Sequence, residues 1–328
     1  MSDDDQSNLL GICIPTYNRR LYLRTCLNSI IREFSSFNFP IYISDNASDD
    51  GTEEDIASLK EKYGNITYVR NHANIGPYQN ILNVSSMANT DYIWLMGDDD
   101  AIRENSVCEI VKHLRNDYDF MILNSTSYDE NLKEIKLDKI VECRSDKLYA
   151  QGSHNRLLYN LRKQSYHGYM SSMIIRRTLL SELIKEFRNA QFSLYNNMWL
   201  PLAIFYEAIR DKKGIFLCKP VVLNRDNPRV SGKDFWNYIY VDRIKAIEYL
   251  HCKGYNLGYL KKSLNFKVID TIFIAIIAKH GNTKAVVFNK FIKTDRFIPI
   301  HIKLLILIMD RLPQQVVAKA AIVINYLR

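Results

Sequence analysis

Five apolar or aromatic residues in a row, Tyr92-Ile93-Trp94-Leu95-Met96, run through Gly97 into three consecutive carboxylates, Asp98, Asp99 and Asp100. An uninterrupted apolar run bounded by polar turn residues fits a strand covered on both faces, as in a parallel sheet. Three adjacent aspartates at a strand end repel one another at neutral pH, so they need a compensating cation or a solvated turn. Two readings follow. Mg²⁺ or Mn²⁺ takes oxygen ligands and typically accepts one or two carboxylates plus substrate phosphates. Alternatively, Asp99 or Asp100 caps a following helix.

The sequence around this run repeats one pattern. Leu9 to Ile14 reads as a buried strand stopped by Pro15, followed by a polar loop, Thr16 to Arg20. Leu23, Leu27, Ile30, Ile31 and Phe34 then recur at the one-face spacing of a helix. Ile41 to Ser44 is a second strand, and Asp45 to Thr52 a carboxylate-rich turn. Glu53, Glu54 and Asp55 fall in the first turn of a helix burying Ile56, Leu59 and Tyr63. Ile66 to Arg70 is a third strand, and Pro77 opens a helix through Ile81, Leu82 and Met87. After Asp100, Val107, Ile110, Val111 and Leu114 mark another helix and Phe120 to Leu123 a fifth strand. This alternation predicts an α/β fold with a mostly parallel central sheet flanked by helices. Open sheets of this kind bind ligands in loops at the carboxyl ends of strands, which makes Thr16, Tyr17 and Arg19 candidate contacts.

Four segments in order, Ile14-Pro15-Thr16-Tyr17-Asn18-Arg19, Ser44-Asp45-Asn46-Ala47-Ser48-Asp49-Asp50-Gly51-Thr52, Asn74-Ile75-Gly76-Pro77 and Gly97-Asp98-Asp99-Asp100, resemble family 2 glycosyltransferases. Within that family the chain looks similar to abequosyltransferase-like enzymes of bacterial O-antigen assembly. The resemblance is strongest over the first third and echoes faintly to Asn227. It implies the Rossmann-like GT-A fold, a nucleotide-diphosphate-sugar donor and a Mg²⁺ or Mn²⁺ ion. Carried over by position, Pro15, Thr16, Tyr17, Arg19, Asn74 and Asp98 would line the nucleotide site. Asp45 would meet the base, Asp99 would lie near the ribose or phosphates, and Asp100 would hold the metal bridging the diphosphate. The donor and cation expectations are chemically coherent, because a divalent ion neutralises charge as a nucleoside diphosphate departs.

The second half is less patterned. Ser125 to Gln164 reads as a polar, variable excursion, and Gly168 to Arg177 as a loop and strand returning to the sheet, with His167 a structural or catalytic histidine. The resemblance implies an acceptor-activating base, generally a carboxylate, after this strand. Tyr195-Asn196-Asn197-Met198-Trp199-Leu200 has amides there instead, leaving Glu207, in a helical pattern, as the nearest downstream acid. Arg225, after a last strand from Pro220, is a candidate to fork onto the diphosphate or to sit in a turn held by Asp226 and Asn227.

The expected domains are a catalytic one over 1–232, with a nucleotide part near 9–124 and an acceptor part over 125–232, then a basic helical region over 233–328. Charge supports that division. The chain carries +8 overall, but His251 to Arg328 holds thirteen Lys or Arg against three Asp and no Glu, so everything before it nets −2. Val268 to Ala278 and Phe297 to Met309 are apolar but shorter than the about 20 residues a membrane span needs. Basic residues interleaved with aliphatics suggest helices lying on an anionic inner-membrane surface, or a cap packed on the catalytic domain. The six cysteines include no Cys-x-x-Cys pair and read as reduced, cytoplasmic thiols.

The expected function is therefore metal-assisted transfer of a sugar from a nucleotide donor to a lipid-linked oligosaccharide. A nucleotidyltransferase normally shows a glycine-rich loop with a basic residue near the N-terminus, which Pro15-Thr16-Tyr17-Asn18 is not. A non-catalytic adaptor at the membrane is the remaining alternative. Nucleic-acid binding is disfavoured, since the positive charge alternates with aliphatic residues and no recognition motif accompanies it.

Overall fold

The computed structural model describes residues 7–161, 169–189, 200–226, 243–256 and 258–260, with isolated positions at 300, 304, 307, 308, 311 and 313. The chain divides into two compact units, Met1–Val230 with Lys245–Ser263, and Ser231–Ile244 with Leu264–Arg328. The first carries a ten-stranded sheet.

Its first half is the parallel sheet expected from sequence. Strands β1 (Leu10–Thr16), β2 (Ile41–Asp45), β3 (Ile66–Arg70) and β4 (Tyr92–Leu95) pair in parallel in the order β3-β2-β1-β4. Helices α1 (Arg20–Phe34), α2 (Thr52–Lys62) and α3 (Pro77–Met87) make the crossovers. Every residue of β2 and β4 is buried, which is why neither shows polar alternation. Helix α2 places Glu53, Glu54 and Asp55 in its first turn and Lys60 and Lys62 in its last, both favourable to the helix dipole.

Pro15 does not end β1. The strand continues through Pro15 and Thr16, opposite Ser44 and Asp45 of β2. Ile12 and Thr16 make their bonds to the β2 side, whereas Cys13 O accepts from Met96 on the β4 side. By alternation Pro15 faces the β4 side too, where pairing has stopped at Cys13 and Leu95, so its missing N–H costs no ladder bond.

Beyond β4 the sheet is mixed. The two-residue strand β5 (Ala101–Ile102) follows the aspartates directly, and the next helix, α4 (Val107–Leu114), starts only at Val107. Asp99 and Asp100 are therefore not its cap. Strand β6 (Phe120–Tyr128) is followed by β7 (Ile135–Leu137), β8 (Lys147–Tyr149) and α5 (His154–Leu161). A 3₁₀ turn, Met170–Ser172, leads into β9 (Met173–Arg176), then α6 (Arg177–Asn189), α7 (Leu200–Ile209), β10 (Gly214–Arg225) and α8 (Arg243–Cys252). Strand β9 inserts antiparallel between β4 and β6, with Met173 opposite both Leu95 and Ile122. Strand β10 runs parallel to β6 with register shifts around Pro220.

Two expectations change here. The polar stretch from Ser125 is not an excursion at first, because Asn124, Ser125 and Thr126 are fully buried inside β6. Their polarity is absorbed by the returning loop: Asn124 Nδ2 donates to Val141 O and Cys218 O, and Thr126 Oγ1 to Asp138 O. The same loop brings Cys143 to Cys218, with Cα atoms 5.8 Å apart, and the two are bonded as a disulfide. The reading of every cysteine as a free thiol is thus corrected for this pair. Cys13, Cys26, Cys108 and Cys252 are free.

His167 and Tyr195 to Trp199 lie outside the described residues, as does Val268 to Ala278. Of Phe297 to Met309 only Ile300, Leu304, Leu307 and Ile308 are described. Among the described residues no helix is long and apolar enough to cross a membrane.

Candidate functional site

The parallel half of the sheet ends its strands at one rim. Thr16 closes β1, Asp45 closes β2, and β4 hands over to Gly97 and the three aspartates. A cavity of about 430 Å³ opens there, with Pro15, Thr16, Tyr17 and Arg19 on the β1 loop and Gly97, Asp98 and Asp99 after β4 among its walls. Asn46, Asn74 and Asn80 contribute amides and Met170 an apolar contact. A concave site with few convergent polar groups at the carboxyl ends of parallel strands is the expected place for a ligand in an open α/β sheet.

The three aspartates have different surroundings. Asp98 is buried and accepts from Thr16 Oγ1 at 2.8 Å and Arg19 Nη1 at 3.0 Å. The same Nη1 reaches Asp99 Oδ2 at 2.9 Å, so one guanidinium serves two carboxylates. Burial pushes the Asp98 carboxyl above its usual range, with Arg19 opposing and Asp99 adding to the rise. Asp100 is buried behind the cavity wall. It accepts from Ser171 Oγ at 2.5 Å, the Arg225 backbone N–H at 3.1 Å and Asn224 Nδ2 at 3.3 Å. Burial, and then the charge of Asp99, raise its carboxyl as well. Among the described residues no Lys, Arg or His side chain lies within ion-pair distance of Asp100. With Asp100 ionised, Asp99 and Asp100 together hold more negative charge than Arg19 neutralises.

That surplus is what a divalent cation would offset. Gly97 keeps the space open: a Cβ there would sit 3.1 Å from both Asp99 Oδ1 and Asp100 Oδ2 and 3.2 Å from Ser171 Oγ. Three oxygens therefore crowd the backbone at position 97 and leave no room for a side chain there. No cluster of three or more His, Cys, Asp or Glu suited to a metal occurs among the described residues. A cation held by Asp99 and Asp100 would have to complete its shell with substrate phosphates and water, a habit of Mg²⁺ and Mn²⁺.

Of the sequence candidates, Pro15, Thr16, Tyr17, Arg19, Asn74, Asp98 and Asp99 all line the one cavity. Three others are placed differently. Asp45 is fully buried, with Oδ1 taking the Ser48 N–H and hydroxyl and Oδ2 taking the Tyr68 hydroxyl at 2.6 Å. It holds the turn after β2 and does not face the cavity. Arg225 is buried too; its Nε donates to Asp99 O at 2.7 Å, its Nη1 to Glu130 O, and it stacks 4.8 Å over the Tyr22 ring. These contacts make it a brace for the aspartate turn, without an open fork toward a phosphate. Glu207 is not brought to the cluster; it is engaged by Tyr249 of α8 and by Lys253 just after it. Asp226, offered as a turn residue, pairs with Lys136.

Sequence reasoning missed Asn46, Asn80, Ser171 and Asn224. Asn80 had a signal, since it stands in the first turn of the helix that Pro77 opens, where a side chain points back toward the strand ends. Ser171 and Asn224 had none, because only the insertion of β9 and the length of β10 carry them to Asp100.

Residues 11–184 match the family described as Glycosyl transferase family 2. Among curated relatives, the chain is 38% identical over 176 residues to abequosyltransferase RfbV of Salmonella typhimurium, covering 52% of this chain and 53% of that protein. It is 28% identical over 127 residues to glycosyltransferase GlyG of Streptococcus pneumoniae, covering 38% and 42%. The chain thus spans about half the length or less of the curated relatives it matches. Among solved structures, S. aureus TarS 1-349 in complex with UDP-GlcNAc superposes with a TM-score of 0.60 at 14% identity, over 96% of this chain and 89% of that one. GalNAc-T7 with UDP, GalNAc and Mn²⁺ gives 0.51 at 13% identity, over 75% and 48%. At those identities the structures speak for the fold alone, while the match over more than half of the sequence speaks for descent: this chain belongs to glycosyl transferase family 2 and has its GT-A fold.

Proposed function

We propose that the chain transfers a sugar from a nucleoside-diphosphate sugar to a hydroxyl of a lipid-linked precursor of a bacterial surface polysaccharide. The observation that carries this is the charge arrangement at the cavity: two carboxylates sharing Arg19, and a third without an ion-pair partner among the described residues. A diphosphate with a divalent ion complements that arrangement, and a bare sugar does not. The relatives agree in kind, one being an abequosyltransferase and one TarS having been solved with UDP-GlcNAc.

In the reaction so proposed, the acceptor oxygen bonds to the anomeric carbon as that carbon's bond to the diphosphate oxygen breaks. The nucleoside diphosphate leaves with the electron pair. A bound Mg²⁺ or Mn²⁺ supplies charge neutralisation for that leaving group. Arg19 orients Asp98 and Asp99 through Nη1, and its remaining N–H groups are available to the phosphates, since the side chain stays 39% exposed. Thr16 and Ser171 fix Asp98 and Asp100 by hydrogen bonds, so the carboxylates need no reorganisation when substrate arrives. The acceptor proton requires a base.

The lipid-linked acceptor is supported by the second unit. Ile300, Leu304, Leu307 and Ile308 follow the spacing of one helix face and are all exposed, with Arg311 exposed on the same turn sequence. An aliphatic stripe beside basic residues suits an anionic membrane surface, which supports a peripheral position on the inner face of the membrane.

Calorimetry with UDP, CDP, GDP and dTDP, each with Mn²⁺ and with EDTA, tests the donor site. Metal-dependent binding of at least one nucleotide is expected. A folded sample that binds none overturns the proposal.

A further inference from the structure

One guanidinium ties four separate parts of the chain together beside the aspartates. Arg225 ends β10 and is 7% exposed. Its Nε donates to Asp99 O at 2.7 Å, its Nη1 donates to Glu130 O, and its backbone N–H donates to Asp100 Oδ1 at 3.1 Å. Its Cζ lies 4.8 Å from the centre of the Tyr22 ring on α1. Tyr22 closes the circuit by donating its hydroxyl to Glu130 Oε1 at 2.9 Å. Glu130 belongs to the turn between β6 and β7, and that turn is itself fixed. Asp129 Oδ1 accepts from the Lys133 and Glu134 N–H groups, and Asp129 O accepts from the Leu132 N–H. Among the described residues no carboxylate pairs with the Arg225 guanidinium. A buried cation without an ion-pair partner carries a desolvation cost. What this one supplies is geometry: Nε and Nη1 share one rigid plane, so the carbonyls of Asp99 and Glu130 are held at a set separation with the Tyr22 ring packed against the group.

We propose that Arg225 is a positioning residue, held by Tyr22 and the β6–β7 turn, that sets where Asp99 and Asp100 present their carboxylates to a divalent cation. It acts through the aspartate turn and not by touching the phosphates. The inference rests on the donor-site reading above and adds side chains, Tyr22 and Arg225, that govern the site from outside the cavity wall.

The test uses the full chain with Arg225→Lys, Arg225→Met, Tyr22→Leu and the double variant of Arg225→Lys with Tyr22→Leu. The reading is the Mn²⁺ concentration at which binding of the best of UDP, CDP, GDP and dTDP, followed by calorimetry, reaches half its full extent. Melting temperatures taken alongside report folding. Lysine keeps the charge but presents a single ammonium that does not span both carbonyls. Arg225→Lys should therefore raise the Mn²⁺ requirement about tenfold or more, with Arg225→Met within about threefold of it. Tyr22→Leu, a change on α1 that reaches the aspartates through Arg225, should raise it about threefold or more. The double variant should be no worse than Arg225→Lys alone, because both changes act along one path. A native requirement in Arg225→Lys with a large rise in Arg225→Met would mean that the charge itself meets the phosphates, and it overturns the proposal. A native requirement in Tyr22→Leu overturns it too, and that variant carries the test if the Arg225 variants fail to fold. If the native chain binds no nucleotide, or binds without regard to Mn²⁺, the donor-site reading and this proposal fall together. If it binds with Mn²⁺ and the variants match it, only this proposal falls.

Discussion

Asn80 is the side chain whose replacement should say most about how the site is built. It stands on α3, 2% exposed, and ties the ends of two strands to a loop. Its Nδ2 donates to Ser44 O at 2.8 Å and Thr16 O at 3.3 Å, and its Oδ1 accepts from Ser44 Oγ at 2.7 Å and Asn71 Nδ2 at 3.0 Å. Two of these partners are insured: Thr16 O also takes the Asn46 N–H, and Asn71 Nδ2 also reaches Asn46 Oδ1. Ser44 Oγ, buried at 1%, has Asn80 as its partner. Asn80→Ala therefore strands chiefly one buried hydroxyl, a cost of about 1–3 kcal/mol. Asn80→Asp is nearly isosteric but sets a carboxylate oxygen against two carbonyl oxygens. Ionised, it is a buried unpaired charge, worth about 3–5 kcal/mol of destabilisation. Protonated, it recovers a donor. Burial raises the new carboxyl, so the ionised form is what costs stability, and the deficit must shrink as pH falls toward the ordinary carboxylate range. Thermal melts of the native chain and both variants at about pH 7.5 and about pH 5.5 read this out. At about 2–4 °C per kcal/mol for a unit of this size, Asn80→Asp should melt roughly 10 °C low at the higher pH and recover part of that at the lower. A melting temperature within about 1 °C of native at the higher pH would refute the hydrogen-bond assignment, and an equal deficit at both would refute the charge argument.

Other expectations concern the neighbouring groups. Asp100→Ala should abolish the Mn²⁺-dependent part of nucleotide binding while leaving the protein folded, because it removes a buried carboxylate that lacks an ion-pair partner among the described residues; retained metal dependence in calorimetry would contradict this. Gly97→Ala puts a methyl 3.1 Å from two carboxylate oxygens that must shift to admit it, and metal-dependent nucleotide affinity should drop about tenfold or more. Binding at native strength would mean that the positions of Asp99 and Asp100 beside Gly97 do not matter to the cation. Asp55 accepts from Arg20 and bidentately from Arg24, and the Arg20 bond first, then Arg24, lowers its carboxyl below 3.8. A depressed carboxyl contributes stability that is present above 3.8 and lost as pH falls through the folded value. Asp55→Asn should therefore cost about 1 kcal/mol near neutrality, the arginines being partly exposed and screened, and nothing in strong acid. Denaturant titrations at both pH values would show it, and a deficit independent of pH would be the wrong result.

The sequence by itself determined the parallel half of the fold and the address of the site. Runs such as Ile41–Ser44 and Tyr92–Met96 are apolar at every position because both sheet faces are covered, and period and burial are local properties that a linear string records. Loops at strand ends follow from the same alternation, so Thr16, Tyr17 and Arg19 could be placed at a site in advance, while Asn74, Asp98 and Asp99 joined them through the resemblance to family 2 glycosyltransferases. What the string does not record is which polar atom satisfies which. Asp45 read as a free carboxylate at a strand end, and only the approach of Tyr68 and the turn at Ser48 closes it off. Arg225 read as a fork for phosphate, and only the path of β10 past Asp99 spends its donors on backbone carbonyls. Ser125 and Thr126 read as loop because the groups that absorb the polarity of this part of β6, at Asp138, Val141 and Cys218, are remote in sequence. The pairing of Cys143 with Cys218 was invisible for the same reason. Tertiary structure decided these cases because hydrogen bonds and ion pairs act over a few ångströms between groups the chain brings together only after it has folded.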